Sequence, residues 1–184
     1  MTATAEAEQD LITRSAAGDQ EAYGMLVAQH QQVAFRTACV VCGDAAEAQD
    51  VAQDAFLKAY AALPRFRPGA PFRPWLLRIV ANEARNRRRS AGRRAHLAVR
   101  AGAGAERHAA GADVVVLAGA ERAVLAAALG RLSPAHREVL LLRYLLDLSE
   151  QECAAVLRCR PGTVKSRHAR ALEQLRATLE AADD

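Results

Sequence analysis

The chain has 184 residues, a formal net charge of +4 and a hydrophobic content of 51%, so it can bury one ordinary core or two small ones. No apolar run reaches the ~20 residues that a membrane-spanning helix needs, and the acidic, polar N-terminus does not resemble a signal peptide. We therefore expect a cytoplasmic protein that does not span a membrane. Alanine, leucine and arginine dominate, which favours an all-α fold because these residues are strong helix formers.

The charges are distributed unevenly along the chain. Residues 1–60 contain nine acidic and three basic residues, whereas residues 65–100 contain eleven arginines and a single acid, Glu83. Such asymmetry indicates one face for nucleic acid and another for a protein partner. Ordinary solvated surface charge is the alternative interpretation.

We predict a first helical domain over residues 1–92. A short helix covers about 10–17, and Asp19 then marks the start of a second helix because its side chain can accept a hydrogen bond from the first turn. Gly43 marks the end of that helix, since glycine readily adopts the left-handed conformation found there.

A third helix is predicted to begin at Asp44, with Glu47 three residues later as in a capping box, and to end at Pro64. Its predicted buried stripe consists of Val51, Ala55, Phe56, Ala59 and Leu63. Residues 64–74 contain four prolines and are predicted to be a loop. A fourth helix is predicted over about 72–89.

The second half of the chain begins with a stretch rich in alanine, glycine and arginine. We predict that residues 93–117 are a flexible linker and that residues 118–184 form a second helical domain. Ser133 and Ser149 are expected to start two of its helices, and Glu152 completes a capping box with Ser149.

The spacing of residues 149–172 predicts a helix-turn-helix, in which a first helix supports a second one that enters the major groove of DNA. Pro161 opens the second helix in the segment PGTVKSRHARA, and the small Ala154 permits close approach of the two helices. The side chains expected to contact DNA are Thr163, Lys165, Ser166, Arg167, Ala169 and Arg170. The alternative is an ordinary helical hairpin with a solvated basic face.

Two long segments resemble regions of bacterial sigma factors. Residues 44–89, which begin DAAEAQDVAQDAF, resemble the second region of that family, and residues 129–176, which include PGTVKSRHARA, resemble the fourth region. The second region docks on RNA polymerase and opens the −10 promoter element, and the fourth reads the −35 element. The presence of these two regions alone, joined by a short linker, is similar to the extracytoplasmic-function (ECF) group.

The resemblance implies a role for individual residues. In the sigma family, one helix of the second region binds the clamp helices of the polymerase β′ subunit. The residues that match this helix are Asp50, Val51, Gln53, Asp54 and Phe56. Core packing is an equally good explanation for Val51 and Phe56. Other residues match the positions at which the family binds the −10 strand. They are Arg65, Phe66, Arg67, Arg78, Asn82, Arg85, Asn86 and Arg89. An extruded base needs an apolar surface to stack on and an amide to read its edge, and Trp75 is expected to lie in the core.

The implied partners are the RNA polymerase core, through its β′ clamp helices and β flap, promoter DNA and a regulatory anti-sigma factor. We expect no enzyme activity, catalytic residue, cofactor, metal or small-molecule substrate. The sequence contains no phosphate-binding loop or plausible metal cluster. Cys39 and Cys42 form a C-x-x-C pair within an apolar helical stretch, so we interpret them as small core residues.

Two other classes of function compete with this interpretation. A conventional helix-turn-helix repressor or activator accounts for residues 133–180 but not for the first domain. An RNA-binding or nuclease-like enzyme could use the arginine-rich segment, but paired carboxylates are lacking near it. Co-purification with RNA polymerase distinguishes an initiation factor from both.

Overall fold

The structure is a computed structural model that describes the backbone of residues 3–100 and 120–183 and the side chains of residues 6–93 and 124–181. Within these ranges it contains helices and no strand, which confirms the predicted all-α class. The helices of the first domain are α1 (Ala3–Ala16), α2 (Gln20–Cys42), α3 (Ala45–Ala62), a 3₁₀ turn (Leu63–Arg65) and α4 (Phe72–Arg100). Those of the second are α5 (Ala120–Arg131), α6 (Pro134–Leu140), a π-helical turn (Leu141–Leu145), α7 (Glu150–Leu157) and α8 (Pro161–Asp183).

The predicted helix boundaries in the first domain are confirmed where a side chain or a glycine specifies them. Asp19 accepts a hydrogen bond from the Ala22 amide at 3.0 Å. Gly43 ends α2 in the left-handed conformation, with φ of 80°. Asp44 accepts a hydrogen bond from the Glu47 amide at 3.0 Å and so starts α3. Each of these signals acts within one helical turn, which is why the sequence alone reveals them.

Two boundaries differ from the prediction. α1 begins at Ala3 instead of near residue 10, and α4 continues to Arg100 instead of ending near residue 89. Residues 93–100 are therefore helical and not part of a linker, because they are mostly arginine, alanine and leucine, and Gly92 alone costs a helix only ~1 kcal/mol. The remainder of the predicted linker, 101–117, lies outside the described residues.

The core of the first domain lies among α2, α3 and α4, with α1 packed against α2. The predicted stripe of α3 is confirmed, since each of its five members is buried. Leu76 and Leu77 of α4 are also fully buried, although the sequence did not single them out. Cys39 and Cys42 are buried free thiols, as expected of small core residues, and burial raises the pKa of Cys42 to about 12.

The second domain contains the predicted helix-turn-helix. The capping box is complete: Ser149 donates its amide hydrogen to Glu152 Oε2 at 2.8 Å, and the Glu152 amide donates to Ser149 Oγ at 3.2 Å. Arg158 ends α7 in the left-handed conformation, with φ of 54°. Cys153 and Val156 of α7 and Val164 of α8 are fully buried in one core cluster, which fixes the relative position of these two helices.

The two domains pack against each other, which the sequence did not predict. α7 lies along α4, and the π-helical turn approaches α2. Buried residues form one continuous cluster, from Leu26 and Val80 in the first domain to Leu148 and Val156 in the second. A smaller cluster around Leu132, Leu140 and Ala171 completes the second domain.

Candidate promoter and polymerase surfaces

The N-terminal half of α8 presents most of the side chains that we expected to contact DNA. Val164 and Ala171 are fully buried and attach the helix to its domain. The exposed residues between and around them are Lys165, Ser166, Ala169 and Arg170, and Thr163 and Arg167 are half-buried. Ser166 Oγ donates a hydrogen bond to the Thr163 carbonyl at 3.1 Å. The basic groups thus lie on the outer face of the helix, next to its first turn, where unpaired amides attract phosphate.

A second feature of α8 escaped the sequence reasoning. His168 stacks on Tyr144 of the π-helical turn, with ring centroids 5.5 Å apart, and its Nε2 lies 3.0 Å from the Tyr144 hydroxyl. Tyr144 also borders an apolar groove of about 280 Å³. The groove is lined by Leu125, Leu129, Leu140, Leu141, Tyr144, Leu145, Leu172 and Leu175. Sequence periodicity cannot reveal this groove because its lining comes from four separate elements.

The polar face of α4 carries most of the residues matched to the −10 strand. Arg78, Asn82, Arg85 and Arg89 recur at helical spacing, so they share one side of the helix. Arg78 and Arg89 are exposed, and Arg89 donates a hydrogen bond to Asn86 Oδ1 at 2.8 Å. Asn82 Oδ1 is buried without a hydrogen-bond partner. Burial lowers the pKa of Arg85, whose Nη2 donates to the Val156 carbonyl.

The loop before α4 contains three of the residues matched to the −10 strand, of which two are exposed and one is buried. Arg65 and Arg67 are exposed. Phe66 is only 9% exposed, and its ring packs edge-on against Trp75, with centroids 4.9 Å apart, and against Phe72 at 5.9 Å. Trp75 is half-buried and also contacts Phe72, so it belongs with the core as expected. In this arrangement Phe66 supports the loop and offers no open face to a base.

The predicted polymerase-binding residues of α3 also divide between surface and core. Asp50, Gln53 and Asp54 are exposed, and Arg87 of α4 lies 3.5 Å from Asp50 and 3.7 Å from Asp54. Val51 is buried, with 1% of its surface exposed, so it holds α3 against the core and does not reach a partner directly.

A wide groove of about 940 Å³ lies between α2 and α3, beside these residues. It is lined by Tyr23, Val27, Ala28, Gln29, Gln31, Gln32, Phe35, Gln49, Ala52, Gln53, Phe56 and Leu57. Leu57 is 64% exposed and Phe35 is 37% exposed, which is unusual for large apolar side chains. Neither residue was predicted from the sequence, although an apolar residue on the polar side of an amphipathic helix is the signal that could have revealed them.

Family models match both halves of this architecture. The model described as Sigma-70 region 2 matches residues 26–94, and the one described as Sigma-70, region 4 matches residues 122–175. The RNA polymerase sigma-H factor of Pseudomonas aeruginosa is 35% identical, with 96% of each chain covered. The chain belongs to the sigma-70 family. The ECF sigma-E factor of Escherichia coli is also 35% identical, with 91% of this chain and 92% of that protein covered, so this sigma factor is a member of the ECF group.

Solved structures of other sigma factors share the fold. CnrH in complex with the cytosolic domain of CnrY matches with a TM-score of 0.67 at 33% identity, covering 95% of this chain and 98% of that one. RpoE of Bartonella quintana, in complex with the anti-sigma factor NepR, matches with a TM-score of 0.64 at 27% identity, covering 84% and 96%. The sigma factor described here therefore binds RNA polymerase core and directs it to promoters, as the sequence resemblance implied.

Two further observations concern other classes of site. Among the described residues, no three histidine, cysteine or acidic side chains come together in a group that could hold a metal ion. None of the helices in the described ranges is both long enough and apolar enough to cross a bilayer.

Proposed function

We propose that this sigma factor binds polymerase and promoter DNA through three separate surfaces. The groove between α2 and α3 binds the clamp helices of the polymerase β′ subunit, the polar face of α4 holds the −10 strand, and the outer face of α8 reads the −35 duplex. The observation that carries the proposal is the face of α4, where Asn82 lies among Arg78, Arg85 and Arg89 at helical spacing. One helix face thus combines an amide that can read a base edge with cations that can hold a phosphate backbone.

The polymerase surface combines an apolar groove with an acidic rim. Leu57 and Phe35 supply exposed apolar area, and Asp50 and Asp54 supply negative charge beside it. Apolar area provides most of the binding free energy of a protein interface, while the surrounding charges select the partner. We assign Gln53 and Phe56 to the wall of the groove and give Val51 the role of holding α3 in place.

The −10 surface begins at the loop that precedes α4. Arg65 and Arg67 extend into solvent from this loop, and Asn86 continues the polar face beyond Asn82. We propose that Asn82 reads an extruded base and that the arginines hold the strand on either side. Phe66 supports this loop from within an aromatic cluster, since its ring is buried.

The −35 surface uses the exposed basic residues of α8. Lys165 and Arg170 can reach guanine edges or phosphates, and Thr163, Ser166, Arg167 and Ala169 lie around them. We assign the 184-residue chain two domains, with their boundary between Arg100 and Ala120.

Two further partners are inferred, one from an apolar groove of the second domain and the other from a related protein. The groove bordered by Tyr144 and Leu172 is suited to an apolar helix, and we assign it to the β flap of the polymerase. RpoE of Bartonella quintana is solved with an anti-sigma factor, and we propose that a partner of that class controls the present chain. We expect the protein to act in the cytoplasm as an initiation factor without catalytic chemistry of its own.

The proposal is tested by transcription in vitro with core polymerase and fragments of genomic DNA. The wild-type protein should produce discrete start sites that share elements near −35 and −10. Asn82→Ala should abolish strand opening, measured by permanganate reactivity of thymines near −10, because no other amide replaces it at that position. Binding to core polymerase should not change.

Gln20→Ala serves as the matched control, because it removes an exposed amide at the start of α2 that lines none of the three surfaces. It should transcribe as the wild type does. Normal strand opening by Asn82→Ala would remove α4 from the −10 assignment. Failure of the wild-type protein to bind core polymerase would overturn the proposal as a whole.

A further inference from the structure

The loop before α4 rests on a cluster of four aromatic rings. His30 and Phe72 pack with their ring centroids 5.2 Å apart, and Phe72 also contacts Phe66 and Trp75. His30 is 7% exposed and Phe72 is 1% exposed. Phe66 belongs to the loop itself, whereas Phe72 and Trp75 belong to α4 and His30 belongs to α2. The position of the loop therefore depends on how the ring of His30 is held against Phe72.

The imidazole of His30 is a polar group within this apolar core. Its Nε2 lies 2.9 Å from Glu8 Oε1 of α1. Because an ionised carboxylate only accepts hydrogen bonds, Nε2 carries the hydrogen and donates it. The other buried polar residues of the described part of the chain, Ser15 and Thr37, bond to carbonyls of their own helices. The bond from His30 is different, because it joins the aromatic cluster to a separate helix.

Helix α1 also reaches the loop by a direct contact. It packs against the 3₁₀ turn Leu63–Arg65, from which the loop starts. Leu11 and Ile12 of α1 are buried in the same core cluster as Leu63. Glu8 precedes Leu11 and Ile12 by one helical turn, so the same side of α1 carries the apolar contacts and the acceptor for His30. The loop is thus supported by α1 both through the turn and through the rings.

We propose that α1 positions the loop before α4 for the promoter strand, with Glu8 and His30 as the positioning pair. This inference rests on the assignment of that loop to the −10 strand. Without the carboxylate of Glu8, the imidazole N–H is left buried without an acceptor, which is unfavourable, so the ring moves toward water. Phe72 and Phe66 then lose a packing partner, and the loop no longer holds its arginines in one place.

The polymerase surface should not respond to the same change. Neither Glu8 nor His30 lines the groove between α2 and α3. A defect that passes through the aromatic cluster should therefore reduce strand opening and leave binding to core polymerase intact. A general loss of stability in the first domain would reduce both, so the two measurements separate a positioning role from a merely structural one.

The test uses the full-length protein and three variants of α1. Glu8→Ala removes the acceptor, and Glu8→Gln keeps an acceptor oxygen without the charge. Glu6→Ala is the matched control, since it removes an exposed carboxylate from the same helix. Trp75 is the single tryptophan of the sequence, so the intrinsic fluorescence of the protein reports on the cluster. Acrylamide should quench this fluorescence more strongly in Glu8→Ala than in the wild type or in the other two variants.

Strand opening is measured in the holoenzyme by permanganate reactivity of thymines near −10. Glu8→Ala should lower it about fivefold, the effect of losing one ordinary hydrogen bond. Glu8→Gln should open the promoter as the wild type does, and so should Glu6→Ala. Affinity for core polymerase, measured by competition, should be the same for all four proteins.

A second variant guards against an effect peculiar to Glu8→Ala. His30→Phe keeps an aromatic ring against Phe72 that needs no acceptor, so adding Glu8→Ala to it should cause no further loss of opening. Unchanged quenching in Glu8→Ala, or an equal loss in the His30→Phe background, would overturn the positioning pair. Stronger quenching with normal opening, or a matching loss of polymerase binding, would overturn the role of α1 in placing the loop. The Asn82→Ala test above decides the −10 assignment independently.

Discussion

Two residues on either side of α7 adopt a backbone conformation that their side chains disfavour. Arg158 has φ of 54° and Asp147, before α7, has φ of 48°. The left-handed region costs an L-residue other than glycine roughly 1–2 kcal/mol. At Arg158 the conformation is imposed by the tight connection between α7 and α8, whose angle is set by the buried Val156 and Val164.

Replacing Arg158 with glycine should therefore stabilise the protein. We expect Arg158→Gly to raise the free energy of unfolding by about 0.5–1 kcal/mol, since glycine relieves the strain but adds entropy to the unfolded chain. Urea denaturation followed by circular dichroism measures the change. Arg158→Ala is the control, because alanine removes the same side chain but keeps the Cβ atom that makes the left-handed conformation unfavourable. An equal gain in both variants would show that strain at Arg158 is not the cause.

At the scale of elements, α2 and α3 together form a surface that neither helix forms alone. Each contributes apolar side chains to the groove between them, including Phe35 from α2 and Leu57 from α3. Leu57 is the most exposed large apolar residue of the first domain among the described side chains. A position this exposed contributes little to folding, so substitutions there report on binding.

Leu57→Asp should weaken binding to core polymerase by at least tenfold, because it places a charge in the apolar centre of the proposed interface. The melting temperature should change little. Competition for core polymerase against a labelled wild-type protein measures the affinity. Met25→Asp is the control, since Met25 is 52% exposed but does not line the groove. If both variants bound as the wild type does, the groove would not be the polymerase site.

The basic face of α8 leads to a separate prediction about the salt dependence of DNA binding. Lys165→Ala combined with Arg170→Ala should reduce the slope of log affinity against log salt concentration by about 2, since each lost phosphate contact releases about one fewer cation. The measurement is binding of the holoenzyme to a −35 duplex between 50 and 200 mM salt. Glu173→Gln, farther along α8, should leave the slope unchanged. An unaltered slope in the double variant would exclude these residues from the phosphate interface.

At the scale of the whole molecule, both domains bury thiols that resist ionisation. Burial raises the pKa of Cys42 to about 12 and that of Cys153 to about 11, against an ordinary value of 9.0. It raises the pKa of Cys39 as well. Because the unfolded chain forms thiolates near pH 9 and the folded chain does not, the stabilisation from these groups is complete below that pH and is lost as the pH rises further.

The midpoint of urea unfolding should therefore fall when the pH is raised from 8 to 10. Cys42→Ala should reduce the size of this fall, since it removes one of the groups that ionise only after unfolding. Cys159→Ala is the control, because Cys159 is only half-buried. The same fall in the wild type and in Cys42→Ala would exclude this thiol as a contributor.

The features that depend on neighbours within one or two helical turns could be predicted without the structure. Asp19, Asp44 and Ser149 start helices because each side chain accepts a hydrogen bond from the amide three residues ahead. The order of two helical domains, the helix-turn-helix and the arginine-rich face of α4 were also predictable, because amphipathic spacing and charge are properties of short segments.

Tertiary packing determines which residues of the candidate sites reach the surface. Val51 and Phe66 are buried and Leu57 is exposed, and this depends on the helices that pack against them rather than on the residues themselves. The contact of α7 with α4 likewise joins residues about seventy positions apart, such as Arg85 and Val156. No local pattern encodes such a pairing, because its free energy arises only when the two surfaces meet.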